Sequence, residues 1–150
     1  MTRARDLAAP YPSLSADAPA AEIARVLAEE EVDAVFVEGH DQLQGVVSDI
    51  GLLVRLLPGY ILEDPILAQV LEEGAADLLW QRLEGHTAAE LLPAKRGAGV
   101  AEVDGDATLM EVAAAMARTS SPLVAVRERD GRLLGGITTS RLITRLLRAQ

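Results

Sequence analysis

Cysteine is absent from all 150 residues, and that one absence excludes disulfides, thiolate nucleophiles, zinc–thiolate knuckles and iron–sulfur clusters together. A reducing cytosol suits such a chain. Aromatics are scarce: Tyr11, Phe36, Tyr60 and Trp80 make up 3% of the residues, which leaves few rings on which bases could stack. Basic residues are outnumbered by acidic ones, 14 to 23, for a formal charge of −9. That balance argues against nucleic acid as a partner, because a phosphate backbone is held by clustered Lys and Arg. Histidine is limited to His40 and His86, each beside a Gly in a polar stretch without other convergent ligands; both read as solvated loop residues and neither as a metal ligand. Long apolar runs are missing too. Leu52 to Leu57 is broken by Arg55, far short of the roughly 20 residues a spanning helix needs. The basic start Met1 to Arg5 reaches Pro10 and Pro12 without the apolar stretch of a secretory signal. The expectation is a cytoplasmic protein with no membrane insertion.

What is present is a globular balance, 49% hydrophobic and 25% charged, in a chain about the length of one ordinary domain. The organising feature is an internal duplication. Asp17-Ala-Pro-Ala-Ala-Glu22-Ile-Ala24 recurs as Asp106-Ala-Thr-Leu-Met-Glu111-Val-Ala113. Gly45-Val-Val-Ser48, with Leu52-Leu53-Val-Arg55-Leu56-Leu57 after it, recurs as Gly135-Gly-Ile-Thr138 with Leu142-Ile143-Thr-Arg145-Leu146-Leu147. Ala4-Arg-Asp6-Leu7 matches Ala88-Ala-Glu90-Leu91 at a slightly shorter offset, which a short insertion around Pro93 to Gly99 accounts for.

Each repeat predicts the order α-β-α-β-β-α, an α/β (α+β) fold. In the first, Asp17 is the expected N-cap with Pro19 in the first turn, and Ile23, Val26 and Leu27 form the apolar face. Strands over Val32 to Val37 and Leu43 to Val47 flank the turn Gly39-His40-Asp41. In the second, Asp106 is the expected cap of a helix bearing Leu109, Val112, Ala113 and Met116. Strands over Leu123 to Val126 and Leu133 to Ile137 flank Asp130-Gly131, a hairpin signal. Between the repeats lies a helical insertion: Pro58-Gly59 ends one helix and Asp64-Pro65 starts another. Ile66, Leu67, Val70 and Leu71 make one apolar face, and Ala76, Leu79, Trp80 and Leu83 a second. Trp80 reads as core or interface, and less as a binding platform. Gly85 and Thr87 mark the exit and the next cap. Glu29-Glu30-Glu31 reads as a solvated helix end and not a metal site.

The candidate chemistry lies where Ser48 and Thr138 each end a strand and open a helix. Free N–H groups and the helix dipole there favour an anion, and a hydroxyl adds a hydrogen bond; a plain N-cap is the competing reading. Arg141 reads either as a phosphate grip or as a surface ion-pair residue. Arg127, Arg129, Arg132, Arg141, Arg145 and Arg148 gather in the second repeat, which makes that end the better anion site despite the overall charge. The apolar residues Leu52, Leu53 and Leu56, with Leu142 and Leu146, predict a homodimer interface. No Ser-His-Asp order, Gly-rich phosphate loop or metal set is present, so no catalytic residue is assigned and no enzyme is expected.

The runs Leu43-Gln-Gly45-Val-Val-Ser48-Asp49-Ile50-Gly51-Leu52-Leu53 and Leu134-Gly135-Gly-Ile137-Thr138-Thr139-Ser140-Arg141-Leu142 resemble the cystathionine-β-synthase (CBS) motif, two copies of which pack as a Bateman module. The inter-motif segment Leu56 to Pro65 is similar to that of stand-alone two-motif proteins of actinobacterial type. The resemblance implies a first motif over 1–57, a helical insertion over 58–86 and a second motif over 87–150, together one module. It implies motifs stacked through their strands around a pseudo-twofold axis, commonly dimerising into a flat disc. It further implies a non-catalytic regulator of a separate transporter or enzyme, with AMP, ADP, ATP or S-adenosylmethionine as possible ligands and no required cofactor. By the same resemblance the clefts are completed by the loops Tyr11 to Leu14, including Ser13, and Asp33 to Val35, including Ala34. In the second repeat the corresponding loops hold Val100 and Ala101, and Ser121 and Pro122; Ser120-Ser121-Pro122 reads equally as an ordinary turn. Thr138, Ser140 and Arg141 close the second cleft and Ser48 the first. Nucleotide-binding members place an acid three positions after the Ser or Thr to hold the ribose. This chain has Gly51 and Arg141 there, which supports an alternative: a dimeric adaptor that has lost nucleotide binding.

Overall fold

A computed structural model describes residues 1–70, 74–93 and 100–148. The expectations for Leu71 and for the segment 94–99, and those for the side chains of Leu67, Val70 and Ala76, lie outside what is described. The first repeat runs α1 (Ala4–Leu7), β1 (Ser13–Ser15), α2 (Ala20–Glu29), β2 (Ala34–Gly39), β3 (Gln42–Ser48) and α3 (Asp49–Leu56). Short helices α4 (Gly59–Glu63), α5 (Pro65–Val70) and α6 (Gly74–Leu83) follow, and the second repeat opens with a 3-10 turn at Ala88–Leu91. It continues as β4 (Glu102–Asp104), α7 (Leu109–Thr119), β5 (Leu123–Arg127), β6 (Leu133–Thr138) and α8 (Thr139–Arg148). The element order read from the duplication is the one observed. No helix among the described residues is long and apolar enough to cross a membrane.

Each repeat builds one three-stranded sheet, β1-β2-β3 and β4-β5-β6, with the first pair parallel and the second antiparallel. The central strands explain the layering. In β2, Ala34, Val35, Phe36 and Val37 are all buried, yet successive side chains point to opposite faces. Val35 and Val37 pack with Ile23, Val26, Leu27, Leu52 and Leu56 of the flanking helices. Ala34 and Phe36 point the other way, onto Leu123 and Ala125 of β5. Val124 and Val126 complete the pattern against Val112, Met116 and Leu142. The layers are therefore helices, sheet, sheet, helices. Phe36 carries the shared seam, and Gly136 makes room for it: a Cβ there would sit 2.8 Å from Phe36 Cζ and 2.7 Å from Leu123 Cδ1.

The packing units cross the sequence repeats. Ala4 and Leu7 of α1 are buried in the core of the second repeat, while Ala88 and Leu91 are buried in the core of the first. Backbone bonds make the exchange reciprocal: Ala4 N–H donates to Ala107 O at 2.9 Å and Ala88 N–H to Ala18 O at 2.8 Å. Ala9 then lies along β6, exchanging bonds with Gly136 at 3.0 and 2.8 Å. The approach needs Gly135, whose φ is +154° and where a Cβ would stand 2.6 Å from Ala9 O.

Several local expectations are corrected. Asp17 does not cap α2; Pro19 occupies that place, and the first N–H, on Ala20, is satisfied by His86 O at 2.9 Å. A tertiary backbone partner replaces the side-chain cap. Asp106 does not cap α7 either. Thr108 does, accepting from Glu111 N–H at 3.2 Å, while Asp106 turns to Arg5 at 2.9 Å. Leu52, Leu56 and Leu142 are buried core residues and not a dimer face. Trp80 is not core: it is 53% exposed, because Leu79 and Leu83, spaced i, i+4, turn the inner face of α6 towards the first core. The Asp64-Pro65 restart stands as read, with Asp64 Oδ1 accepting from Ile66 N–H at 3.0 Å.

Candidate functional site

The two closing turns cap their helices. Ser48 Oγ accepts from Gly51 N–H at 2.9 Å, and Thr138 Oγ1 from Arg141 N–H at 3.2 Å. Each hydroxyl thus contributes its cap without losing its own proton, which remains available to donate. At Thr138 this turn borders a cleft of about 510 Å³, lined by Leu7, Ala9 and Tyr11 from the exchanged N-terminal segment and by Ser140, Arg141, Thr144, Arg145 and Arg148 from α8. Chain exchange creates the site, because one wall belongs by sequence to the first repeat and the other to the second.

Two of its arginines are oriented by the N-terminal segment. Arg141 Nε donates to Leu7 O at 2.6 Å, and Arg145 Nη2 to Thr2 Oγ1 at 2.5 Å. Neither reading of Arg141 anticipated this contact. It is a guanidinium on a backbone carbonyl at a helix end, where the dipole favours a cation, and it leaves four of the five guanidinium N–H donors for other partners. Among the described residues, Arg141, Arg145 and Arg148 join no ion pair. By contrast Arg5 bridges Asp106 at 2.9 Å and Glu128 at 2.5 Å, and Arg25 joins Glu22 and Glu29. Hydrogen bonds to these carboxylates raise the pKa of Arg5 and of Arg25, and the Arg25 bond lowers that of Glu22.

Of the residues proposed from sequence, Thr138, Ser140 and Arg141 come together in this cleft, and Tyr11 joins them. Ser121 and Pro122 lie elsewhere, in an apolar groove of about 510 Å³ between α7 and α8 that also holds Met116, Thr139, Leu142 and Ile143. Ser121 behaves as a turn residue, its hydroxyl bonding Leu123 O at 2.7 Å after Ser120 at φ 51°. Ser13 lies at the hairpin end of the module, donating to Glu38 at 2.8 Å. Ala34 is buried in the inter-sheet seam and Val100 packs against it; Ala101 is buried, its carbonyl accepting from Ala125 N–H at 2.9 Å. The basic cluster divides: Arg127 and Arg129 line a cleft with Glu102, Asp104 and Asp130, far along the strands from Thr138. His40 and His86 are exposed, and His86 contacts Glu90. No group of three or more metal-capable side chains occurs among the described residues. Leu7, Ala9 and Thr144 of this lining are not among the residues expected from sequence, where Arg145 and Arg148 figure only as bulk charge. The i, i+4, i+7 spacing from Arg141 was the signal for the two arginines; the exchange of α1 left none.

A family model for the CBS domain matches residues 4–57 and 99–148. Among solved structures, a CBS-domain-containing protein of unknown function from Kribbella flavida is 32% identical, with a TM-score of 0.80 over 98% of this chain and 99% of that one. CBSX2 from Arabidopsis thaliana is 19% identical, with a TM-score of 0.72 over 98% of this chain and 95% of that one; CBSX2 has also been solved in complex with AMP. Hypoxic Response Protein I, solved with two coordinated zinc ions, is 21% identical with a TM-score of 0.66 over 95% of this chain and 98% of that one. A search of curated proteins found no match. With both halves matched and the relative from Kribbella similar over nearly its whole length, the chain belongs to the CBS-domain family and carries two copies of the motif.

Proposed function

We propose that the protein is a non-catalytic regulatory module that senses a small anion, an adenosine nucleotide or a related compound, in the Thr138 cleft and controls a separate partner such as a transporter or enzyme. The observation that carries this reading is the cleft itself. In a chain of charge −9, it gathers three arginines and three hydroxyl side chains of Ser and Thr with no carboxylate among its lining residues. A concave site with few, convergent polar groups is what a small ligand needs. Family membership, together with the AMP complex of a structural neighbour, supports the nucleotide class. A thermal-shift screen with AMP, ADP, ATP, S-adenosylmethionine and adenosine tests it, since a ligand selective for the folded state raises Tm. A rise with at least one charged compound is expected; no rise with any of them would defeat the sensing role.

Exposed apolar residues on the closing helices favour a second reading, a dimeric adaptor. Ile50, Leu53 and Val54 on α3, and Ile143, Leu146 and Leu147 on α8, are exposed, and such clusters mark protein contacts. These residues, and not Leu52, Leu56 or Leu142, are assigned to the homodimer face. Light scattering is expected to give twice the chain mass at micromolar concentration; a stable monomer would remove the adaptor reading.

A further inference from the structure

Resting on the binding role proposed above, we infer that the Thr138 cleft holds its ligand by a chain of linked phosphates, a di- or triphosphate group, and that the nucleoside is the lesser part of what it recognises. Arg141, Arg145 and Arg148 are spaced i, i+4, i+7, which puts them on one face of α8 and spreads them over about 10 Å of helix axis. All three line the same cleft. Like charges at this spacing repel along a helix, and α8 contains no acidic residue to offset them. Among the described residues they have no ion-pair partner, although Arg5 and Arg25 of the same chain each have two.

A single phosphate monoester is satisfied by one bidentate guanidinium and the helix N-terminus. That would leave the other two cations without a counter-charge. A linear phosphate chain, charged on every unit, offers successive acceptors to successive guanidinium groups, and the hydroxyls of Ser140 and Thr144 lie in the same cleft to donate between them. The nucleoside side of the cleft is poorer. No Asp or Glu lines it to accept from a ribose diol, and Tyr11, its one aromatic residue, is already packed against the inter-sheet seam. The N-terminal segment prepares the cations by holding Arg141 on Leu7 O and Arg145 on Thr2 Oγ1, so less side-chain freedom is lost on binding.

Calorimetric titration of the whole chain with sodium tripolyphosphate, ATP, AMP and adenosine tests the inference. Tripolyphosphate is expected to bind within about tenfold of ATP, AMP about tenfold or more weakly than either, and adenosine not at all. Raising salt weakens every interaction. Arg148→Ala, which removes no hydrogen bond among the described residues, and Arg145→Ala are each expected to weaken tripolyphosphate about tenfold, with Tm unchanged for Arg148→Ala. AMP or S-adenosylmethionine binding without tripolyphosphate binding would overturn the phosphate-chain inference and leave the sensing role standing. So would tripolyphosphate affinity unaltered by both substitutions. Silence from every compound would overturn both.

Discussion

The closing helices of the two motifs, α3 and α8, share one sequence pattern and present different surfaces. Matched position by position, Asp49, Ile50, Gly51, Val54, Arg55 and Pro58 of the first stand where the second has Thr139, Ser140, Arg141, Thr144, Arg145 and Arg148. The shared arginine keeps a shared task in both: Arg55 donates to Glu90 O at 2.6 Å, and Arg145 to Thr2 Oγ1 at 2.5 Å, each tying the helix to the lead-in segment that has crossed from the other repeat. Around it, the first helix presents Ile50 and Val54, 65% and 53% exposed, while the second presents hydroxyls and two further guanidinium groups. The core-facing position is the same in both, Leu52 against Leu142, both buried, and the outward positions differ. Both helices also expose apolar residues, Leu53 on the first and Ile143, Leu146 and Leu147 on the second; what the second adds is the arginine-lined cleft.

The inter-sheet seam is divided in the same way, and it gives the largest expected effect. Phe36 in β2 is matched by Ala125 in β5, and the second sheet makes space with Gly136. Phe36→Ala is expected to cost about 3–5 kcal/mol, a large part of the roughly 5–15 kcal/mol by which a domain of this size is stable. Urea denaturation checks this, and because the lead-in segments are exchanged, both motifs should lose structure in one transition. Two separate transitions would mean that the halves fold independently.

The strap contacts come next. Gly135 and Gly45 are equivalent, but a Cβ at Gly135 meets the carbonyl of Ala9 at 2.6 Å, whereas one at Gly45 meets the movable Leu92 Cδ2 at 2.7 Å. Gly135→Ala should therefore destabilise by about 1–3 kcal/mol, as overpacking does, and Gly45→Ala by less. Equal losses would show that the two straps are held alike.

Removing either cap hydroxyl, Ser48→Ala or Thr138→Ala, is expected to cost about 1 kcal/mol of stability. Only the second should also alter ligand affinity, which separates a structural cap from one that borders a binding cleft.

The smallest effect is acid sensitivity in α2. Arg25 lowers the Glu22 pKa, so the stabilisation from this pair is complete above the ordinary glutamate pKa and is lost as pH falls through the lowered value. Both groups are solvent-exposed, and Glu22→Gln should blunt the acid limb of the stability curve only slightly. A large change would place Glu22 in a tighter network than its geometry indicates.

How much of this was legible beforehand follows from which interactions are local. The repeat order, both hairpin turns, the Asp64-Pro65 restart and the hydroxyl caps at Ser48 and Thr138 are set by neighbours in sequence, and the pattern displayed them. The caps at α2 and α7 are not legible locally because their deciding partners are distant: His86 O replaces a side chain at Ala20, and Arg5 draws Asp106 away. The outer face of the closing helices was confused with the core because Leu52, Leu53 and Leu56 are equally apolar, and only helical phase separates buried from exposed. The cleft was half-visible. Thr138, Ser140 and Arg141 are contiguous, whereas Leu7 and Ala9 reach them only through the exchange of α1, which leaves no mark in the composition of either segment.

Calorimetric titration of ATP into the wild type, Arg141→Ala and Ser48→Ala decides whether the second motif and not the first takes the anion, as proposed. The expected result is one site per chain, weakened about tenfold or more by Arg141→Ala and unchanged by Ser48→Ala. Unaltered affinity in Arg141→Ala, or loss of binding in Ser48→Ala, would contradict it.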